Sequence, residues 1–122
     1  MAPTAEDRLT AWLRRLAPGG EVIGDDVAPL GALQDAVATV DQQIAGTHFP
    51  ADLDPALVAR RLLEVNLSDL AASGARPVCA LLALSAPSDF DHRRLLEALA
   101  RACRQRGVRL VGGDTARADR LG

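Results

Sequence analysis

The apolar run Val78-Cys79-Ala80-Leu81-Leu82-Ala83-Leu84 constrains the fold more than any other stretch of the chain. Such a run, closed by Pro87, is the pattern of a central strand buried on both faces, and it is far too short to span a membrane. The residues after it set its neighbours. Asp91 reads as the N-cap of a helix through Arg106, with Leu95, Leu96, Leu99 and Cys103 inward, the arginines outward and Gly107 as the stop. Val108-Arg109-Leu110-Val111 is then the next strand. It leads into Gly112-Gly113-Asp114-Thr115, which reads as a turn. Glycines there let the backbone approach a ligand closely, turn amides can point at a phosphate, and Asp114 can hold a cation bridging to it.

Upstream, Thr4-Ala5-Glu6-Asp7 is a helix start with Thr4 as N-cap. Leu9, Trp12, Leu13 and Leu16 recur at helical spacing, and Pro18-Gly19-Gly20 ends the helix. Ala36-Val37-Ala38-Thr39-Val40-Asp41 is a strand by composition. Asp54-Pro55 opens a helix that should run to Ala72, with Gly74 as its terminator. Val58, Leu62, Val65 and Leu70 lie near one stripe of that helix, while Arg60, Arg61 and Glu64 face water. Asn66 and Asp69, three apart, share a face; they form either an internal hydrogen-bonded pair or a metal-facing pair. The element order predicts an α/β or α+β sandwich, helices packed on a mixed β-sheet, in one domain spanning 1–122.

Composition narrows the chemistry. All 14 basic residues are Arg, so a Walker P-loop, which needs Gly-Lys-Ser/Thr, is excluded. Nucleotide handling would have to use metals, backbone amides or Arg. A net charge of -2 argues against a nucleic-acid partner. Cys79 and Cys103 lack a second Cys-x-x-Cys element and read as buried thiols of a reducing compartment. The N-terminus shows no basic region followed by an apolar stretch, so a cytoplasmic protein without signal peptide or membrane partner is expected.

Asp outnumbers Glu, and several Asp residues sit beside Gly, Ser or Thr. Asp7, Asp54 and Asp91 are caps. The others come from four separate segments: Gly24-Asp25-Asp26, Thr39-Val40-Asp41, Asn66-Leu67-Ser68-Asp69 and Gly113-Asp114. Like charges at about 4 Å and an effective dielectric near 20 repel by on the order of 4 kcal/mol. That cost is screened in a solvated turn, but it calls for a cation where the acids are partly buried. Convergence of the four segments on one pocket is the simplest single explanation of the pattern.

In order along the chain, Gly24-Asp25-Asp26-Val27-Ala28, Thr39-Val40-Asp41 with Gly46-Thr47-His48-Phe49, Asn66-Leu67-Ser68-Asp69-Leu70-Ala71-Ala72-Ser73-Gly74-Ala75-Arg76-Pro77 and Leu110-Val111-Gly112-Gly113-Asp114-Thr115 resemble the thiamine-monophosphate kinase family, part of the aminoimidazole-ribonucleotide-synthetase superfamily of ATP-binding proteins. The resemblance implies an aminoimidazole-ribonucleotide-synthetase N-terminal-domain-like fold and transfer of the γ-phosphoryl of ATP to thiamine monophosphate, giving thiamine diphosphate. It implies several Mg²⁺ ions as the electrostatic clamp, with Asp26, Thr39, Val40 (through its carbonyl), Asp41, Asp69 and Asp114 as ligands. Asp25 would orient Asp26 or support the metal shell. Gly113 and Asp114 would touch ATP phosphates, and His48 would contact substrate. The resemblance puts an aliphatic residue, near Leu96, where an aromatic is common. It also implies that this chain is the N-terminal ATP- and Mg²⁺-binding part, with the C-terminal domain absent and its sheet incomplete, inactive alone and pairing into homodimers through the sheet.

Two other readings stay open. One is a selenophosphate or purine-pathway synthetase of the same superfamily. The other is a dimerisation or nucleotide-binding module without catalysis.

Overall fold

The computed structural model describes residues 1–24 and 26–122. Its elements are α1 (Ala5–Leu16), a single 3₁₀ turn (Gly20–Val22), α2 (Pro55–Ala72), β1 (Cys79–Ala86), α3 (His92–Arg106) and β2 (Arg109–Arg117). Local chemistry sets the helix ends as expected. Thr4 and Asp7 exchange side-chain and backbone bonds in a full capping box. Asp54 caps α2 with Pro55 behind it, Asp91 caps α3, and Gly107 ends α3 in the left-handed region.

β1 and β2 pair in parallel, joined by α3. The register passes from Ala80 opposite Leu110 to Leu81 opposite Gly112, so Val111 is an extra residue in a bulge. β2 therefore corrects the sequence reading. Gly112-Gly113-Asp114-Thr115 is not a turn but the middle of a strand, paired with Leu81 to Leu84. The glycines permit close approach of two strands. An ideal Cβ on Gly113, whose φ is +152°, would fall 1.8 Å from the Leu82 carbonyl oxygen.

The far edge of β1 holds a second difference. Ser85 and Gly122 exchange both backbone hydrogen bonds, at 2.7 and 2.8 Å. The Ala86 carbonyl accepts from Ala118, next to β2. Peptide groups alternate between the two edges of a strand, so Gly122 lies on the edge opposite β2, in the antiparallel sense. Towards Leu81 that edge gains no neighbour among the described residues. Nor is β1 buried on both faces: Leu84 and Ala86 are covered on one, whereas Leu81 on the other is 60% exposed.

Ala36 to Asp41 is not a strand. Its residues suit a pleated surface, but no described strand lies beside them, and a strand without a partner leaves its backbone groups unpaired. Residues 36–40 are exposed, Val40 at 93%. The segment is tied to α2 instead: Thr39 Oγ1 donates to Asp69 Oδ2 at 3.2 Å, and Arg61 Nε donates to Gln43 Oε1 at 2.8 Å. Four extended residues span roughly 13 Å and eight helical residues rise about 12 Å, so residues 39–43 run antiparallel to α2 between two anchors.

α2 and α3 run side by side in the same direction. Arg94 grips Asp54 at their N-terminal ends, and Arg106 grips Glu64 further on. The two spacings correspond to about 15 and 18 Å along the helix axes. The buried face of α2 is Val58, Ala59 and Leu63, shifted from the expected stripe; Leu62, Val65 and Leu70 are only half-covered. Small residues on both helices, Ala59 and Ala102, lie in the shared core and suit close helix approach. α3 supplies the centre of that core with Leu95, Leu96, Leu99, Ala100 and Cys103.

Bonding to Arg94, and then to the Ala56 amide, holds the Asp54 carboxyl below its ordinary range. A lowered carboxyl pKa stabilises the fold above the unfolded value, and that contribution disappears as pH falls through the folded value. The acid limb of stability should therefore be shallower in Asp54→Ala, whose urea midpoint at neutral pH should also be lower. Parallel acid limbs in the two proteins would contradict this.

The thiols differ, which corrects the expectation that both are buried: Cys103 is fully covered and Cys79 half-covered. Burial pushes the Cys103 thiol from 9.0 up to about 11. An aromatic disulfide reagent should modify Cys79 in the native protein and reach Cys103 only on unfolding. Between pH 9.0 and about 11 the unfolded thiol ionises while the folded one does not, so Cys103 makes stability fall as pH rises. Equal labelling rates for the two thiols would refute the assignment.

Candidate functional site

The centre of the candidate site is β2 from Gly112 to Thr115. Before the bulge, Leu110 points with Ala80 into the core; after it, Gly112 and Asp114 share the face of Leu81 and Ala83. Asp114 is exposed, and its Oδ1 accepts from the Thr115 amide at 2.9 Å. A Cβ on Gly112 would touch Ala28 Cβ and Leu81 Cδ2, both at 3.2 Å. The chain just after Asp26 therefore lies over the open face of the sheet, against the glycine two residues before Asp114. Asp26 itself is exposed. Asp25 lies outside the described residues.

On the other side, α1 closes over the same stretch of β2. A cleft of about 100 Å³ is lined by Glu6, Thr10 and Leu13 of α1, Leu96 of α3, and Gly113 and Asp114 of β2. α1 is held by the Pro18 carbonyl, which accepts from the Leu110 amide at 2.7 Å, and by Arg104, which donates to the Leu16 carbonyl at 2.7 Å. Arg93 stacks over Trp12, 5.1 Å from the ring centroid. Trp12 is thus half-buried packing on the core, as read from its spacing.

The second and third motifs meet through Thr39 and Asp69. Asp41 is half-buried and sits between the Thr39 and Gln43 anchors. Asn66 and Asp69 do not pair with each other: Asn66 Nδ2 donates to the Leu62 carbonyl at 2.9 Å, while Asp69 takes the Thr39 hydroxyl. The Val40 side chain faces solvent. His48 is exposed, and its Nδ1 accepts from the Ile44 amide at 2.9 Å.

Carboxylate and hydroxyl oxygens of Asp26, Thr39, Asp41, Asp69 and Asp114 are the hard donors that Mg²⁺ prefers. Their placement is a different matter. Among the described residues no group of three or more His, Cys, Asp or Glu side chains is close enough to hold a metal ion. The fold brings motif one to motif four and motif two to motif three, but it does not gather all four acids into one metal shell.

Sequence reasoning missed three contacts: the Gln43–Arg61 tether, the seat of Ala28 on Gly112 and the His48–Ile44 bond. Gln43 is the buried polar residue of the described structure, yet it stands in a stretch that reads as irregular and polar. Nothing in its neighbours signals burial.

These features define an α/β domain that presents a Gly-Gly-Asp-Thr strand, with no P-loop, between a helix and a carboxylate-rich segment. The model of the family described as AIR synthase related protein, N-terminal domain, matches residues 24–122, and the chain belongs to that family. It is 43% identical over 100 residues to the thiamine-monophosphate kinase of Escherichia coli K12, covering 78% of this chain and 30% of that protein. The crystal structure of thiamine-monophosphate kinase from Stenotrophomonas maltophilia K279a superposes with a TM-score of 0.68 at 30% identity, over 99% of this chain and 40% of that one. AaThiL complexed with AMPPCP and TMP superposes at 0.60 and 30% identity, over 64% of this chain and 26% of that one. The chain spans about a third of the length of the curated relatives it matches.

Proposed function

We propose that this chain is the N-terminal, nucleotide-handling part of a thiamine-monophosphate kinase, which transfers the γ-phosphoryl of ATP to thiamine monophosphate. The observation that carries the reading is the 30% identical structural match over 99% of the chain to a thiamine-monophosphate kinase. The AMPPCP and TMP bound by AaThiL support ATP as donor and thiamine monophosphate as acceptor. Gly113 and Asp114, both exposed on the strand, are the proposed phosphate contacts. His48 is the proposed substrate contact. Several Mg²⁺ ions belong to the same proposal: Asp26 and Asp114 on one side, and Thr39, Asp41, Asp69 and the Val40 carbonyl on the other, are the proposed donors, and the charge supplied would offset that of the phosphates.

Nucleotide binding by this polypeptide is the part of the proposal that its own residues carry. A homodimer formed through the open β1 edge and a cytoplasmic location complete the proposal; no described helix is long and apolar enough to cross a membrane.

Calorimetry with a non-hydrolysable ATP analogue, with and without Mg²⁺, tests it. The expected result is Mg²⁺-dependent binding, weakened about tenfold or more in Asp69→Asn, as for loss of one charged ligand. Binding that ignores both Mg²⁺ and Asp69 would remove the metal from the proposal. A thermal shift with a purine-pathway substrate, but none with thiamine monophosphate, would move it to another branch of the family.

A further inference from the structure

The Ile44–Phe49 loop is a hydrogen-bonded turn closed on itself, with Gly46 in the left-handed region at φ +78°. The Ile44 carbonyl accepts from the amides of Thr47 and His48, at 3.1 and 2.9 Å, and the Gly46 amide donates to Phe49 at 2.8 Å. Its apolar residues anchor it: Ala45 and Phe49 are buried, and the Ala45 amide reaches the Leu121 carbonyl at 3.0 Å. What remains is the Ile44 amide, which finds no backbone acceptor among the described residues and needs a partner. His48 returns to satisfy it, Nδ1 accepting at 2.9 Å.

That bond dictates the state of the ring. An imidazole nitrogen that accepts carries no proton, so the ring is neutral and its proton sits on Nε2. Nε2 makes no hydrogen bond to a described residue, and the side chain is exposed. We propose that His48 is a positioning residue with two ends. Nδ1 locks the Ile44–Phe49 turn, and the lock fixes Nε2–H as an outward hydrogen-bond donor, so the ligand atom it meets must be an acceptor oxygen or nitrogen. This rests on the proposed substrate role of His48 only for the identity of the ligand. The lock and the tautomer follow from the turn itself.

Nitrogen NMR of the ¹⁵N-labelled chain, with no ligand added, reads the tautomer and the exchange of the Ile44 amide. The expected result is the Nε2–H form. Asparagine carries an acceptor at the position of Nδ1 and glutamine one bond further out. His48→Asn should therefore keep the slow exchange of Ile44, whereas His48→Gln should speed it about tenfold, as for loss of one ordinary hydrogen bond. An Nδ1–H tautomer, or Ile44 exchange that is equal in the wild type and His48→Gln, overturns the lock. Thiamine monophosphate added afterwards tests the substrate reading separately. A shift of Nε2–H in the wild type, together with weaker thiamine monophosphate binding by His48→Asn while its turn stays intact, supports the outward donor. Shifts elsewhere in the spectrum that leave Nε2–H unmoved overturn that half.

Discussion

Gly113→Ala should destabilise the protein by about 3–5 kcal/mol, since it combines a backbone conformation foreign to L-residues with an overlap that no rotamer relieves. The φ of Gly113 is +152°, and the added methyl would lie 1.8 Å from the Leu82 carbonyl oxygen and 2.7 Å from its carbon. Both obstacles are backbone of the paired strand, so β1 and β2 must separate there to admit the methyl. Against a total stability of about 5–15 kcal/mol for a domain, that is a large share. Gly112→Ala is the control. Its neighbours at 3.2 Å are Leu81 Cδ2, a rotatable tip, and Ala28 Cβ, carried by a segment outside any helix or strand, and both can yield by a few tenths of an ångström. Urea unfolding followed by circular dichroism should show a midpoint far below wild type for Gly113→Ala and close to it for Gly112→Ala. Similar midpoints for the two variants would mean that the bulge adapts, and that the close approach of the strands is not what Gly113 provides.

The same pair of glycines shows what sequence could and could not disclose. Their importance was legible, because two consecutive glycines before an acid require an unusual backbone. Their geometry was not: a turn and a bulged strand both use positive φ, and only pairing to Leu81–Leu84 separates them. The helices were legible almost to the residue, since Thr4, Asp54, Asp91 and Gly107 are local signals that act within one turn. Ala36 to Asp41 failed for the opposite reason. Strand character depends on a neighbour, and this chain supplies the segment with α2 instead.

Half of the candidate site was readable in the same sense. Thr39 and Asp69 were singled out separately for oxygen chemistry, and the fold joins them at 3.2 Å. Asp114 was expected at the tip of a turn and lies on a strand face, beside the segment that follows Asp26. The sequence predicts convergence of Asp26, Asp41, Asp69 and Asp114 on one pocket, and among the described residues no three such side chains are grouped closely enough to hold a metal ion. Carboxylates write themselves into a sequence as residue types. Their separation depends on packing between distant segments, which the residue types do not encode.

α1 offers the other large effect. The helix has no fully buried residue, so its docking depends on what lies beneath it. Beneath it is Leu96, wholly covered, on the floor of the cleft that α1 forms with Gly113 and Asp114. Leu96→Ala should cost about 2–5 kcal/mol, the transfer term plus the cavity it leaves. The cavity would open next to an existing cleft, so the loss should fall first on the contact between α1 and the sheet. Trp12 is the chain's one tryptophan and sits on α1, which makes its fluorescence a local probe of docking. In wild type the Trp12 fluorescence and circular dichroism transitions in urea should coincide, as for a two-state domain. In Leu96→Ala both should move to lower urea, with the fluorescence transition leading. Leu95→Ala, from an equally buried neighbour that does not line the cleft, should lower both midpoints together. Coincident transitions in both variants would show that α1 is held by Arg104, Arg93 and the Pro18 carbonyl, and not by the apolar floor under it.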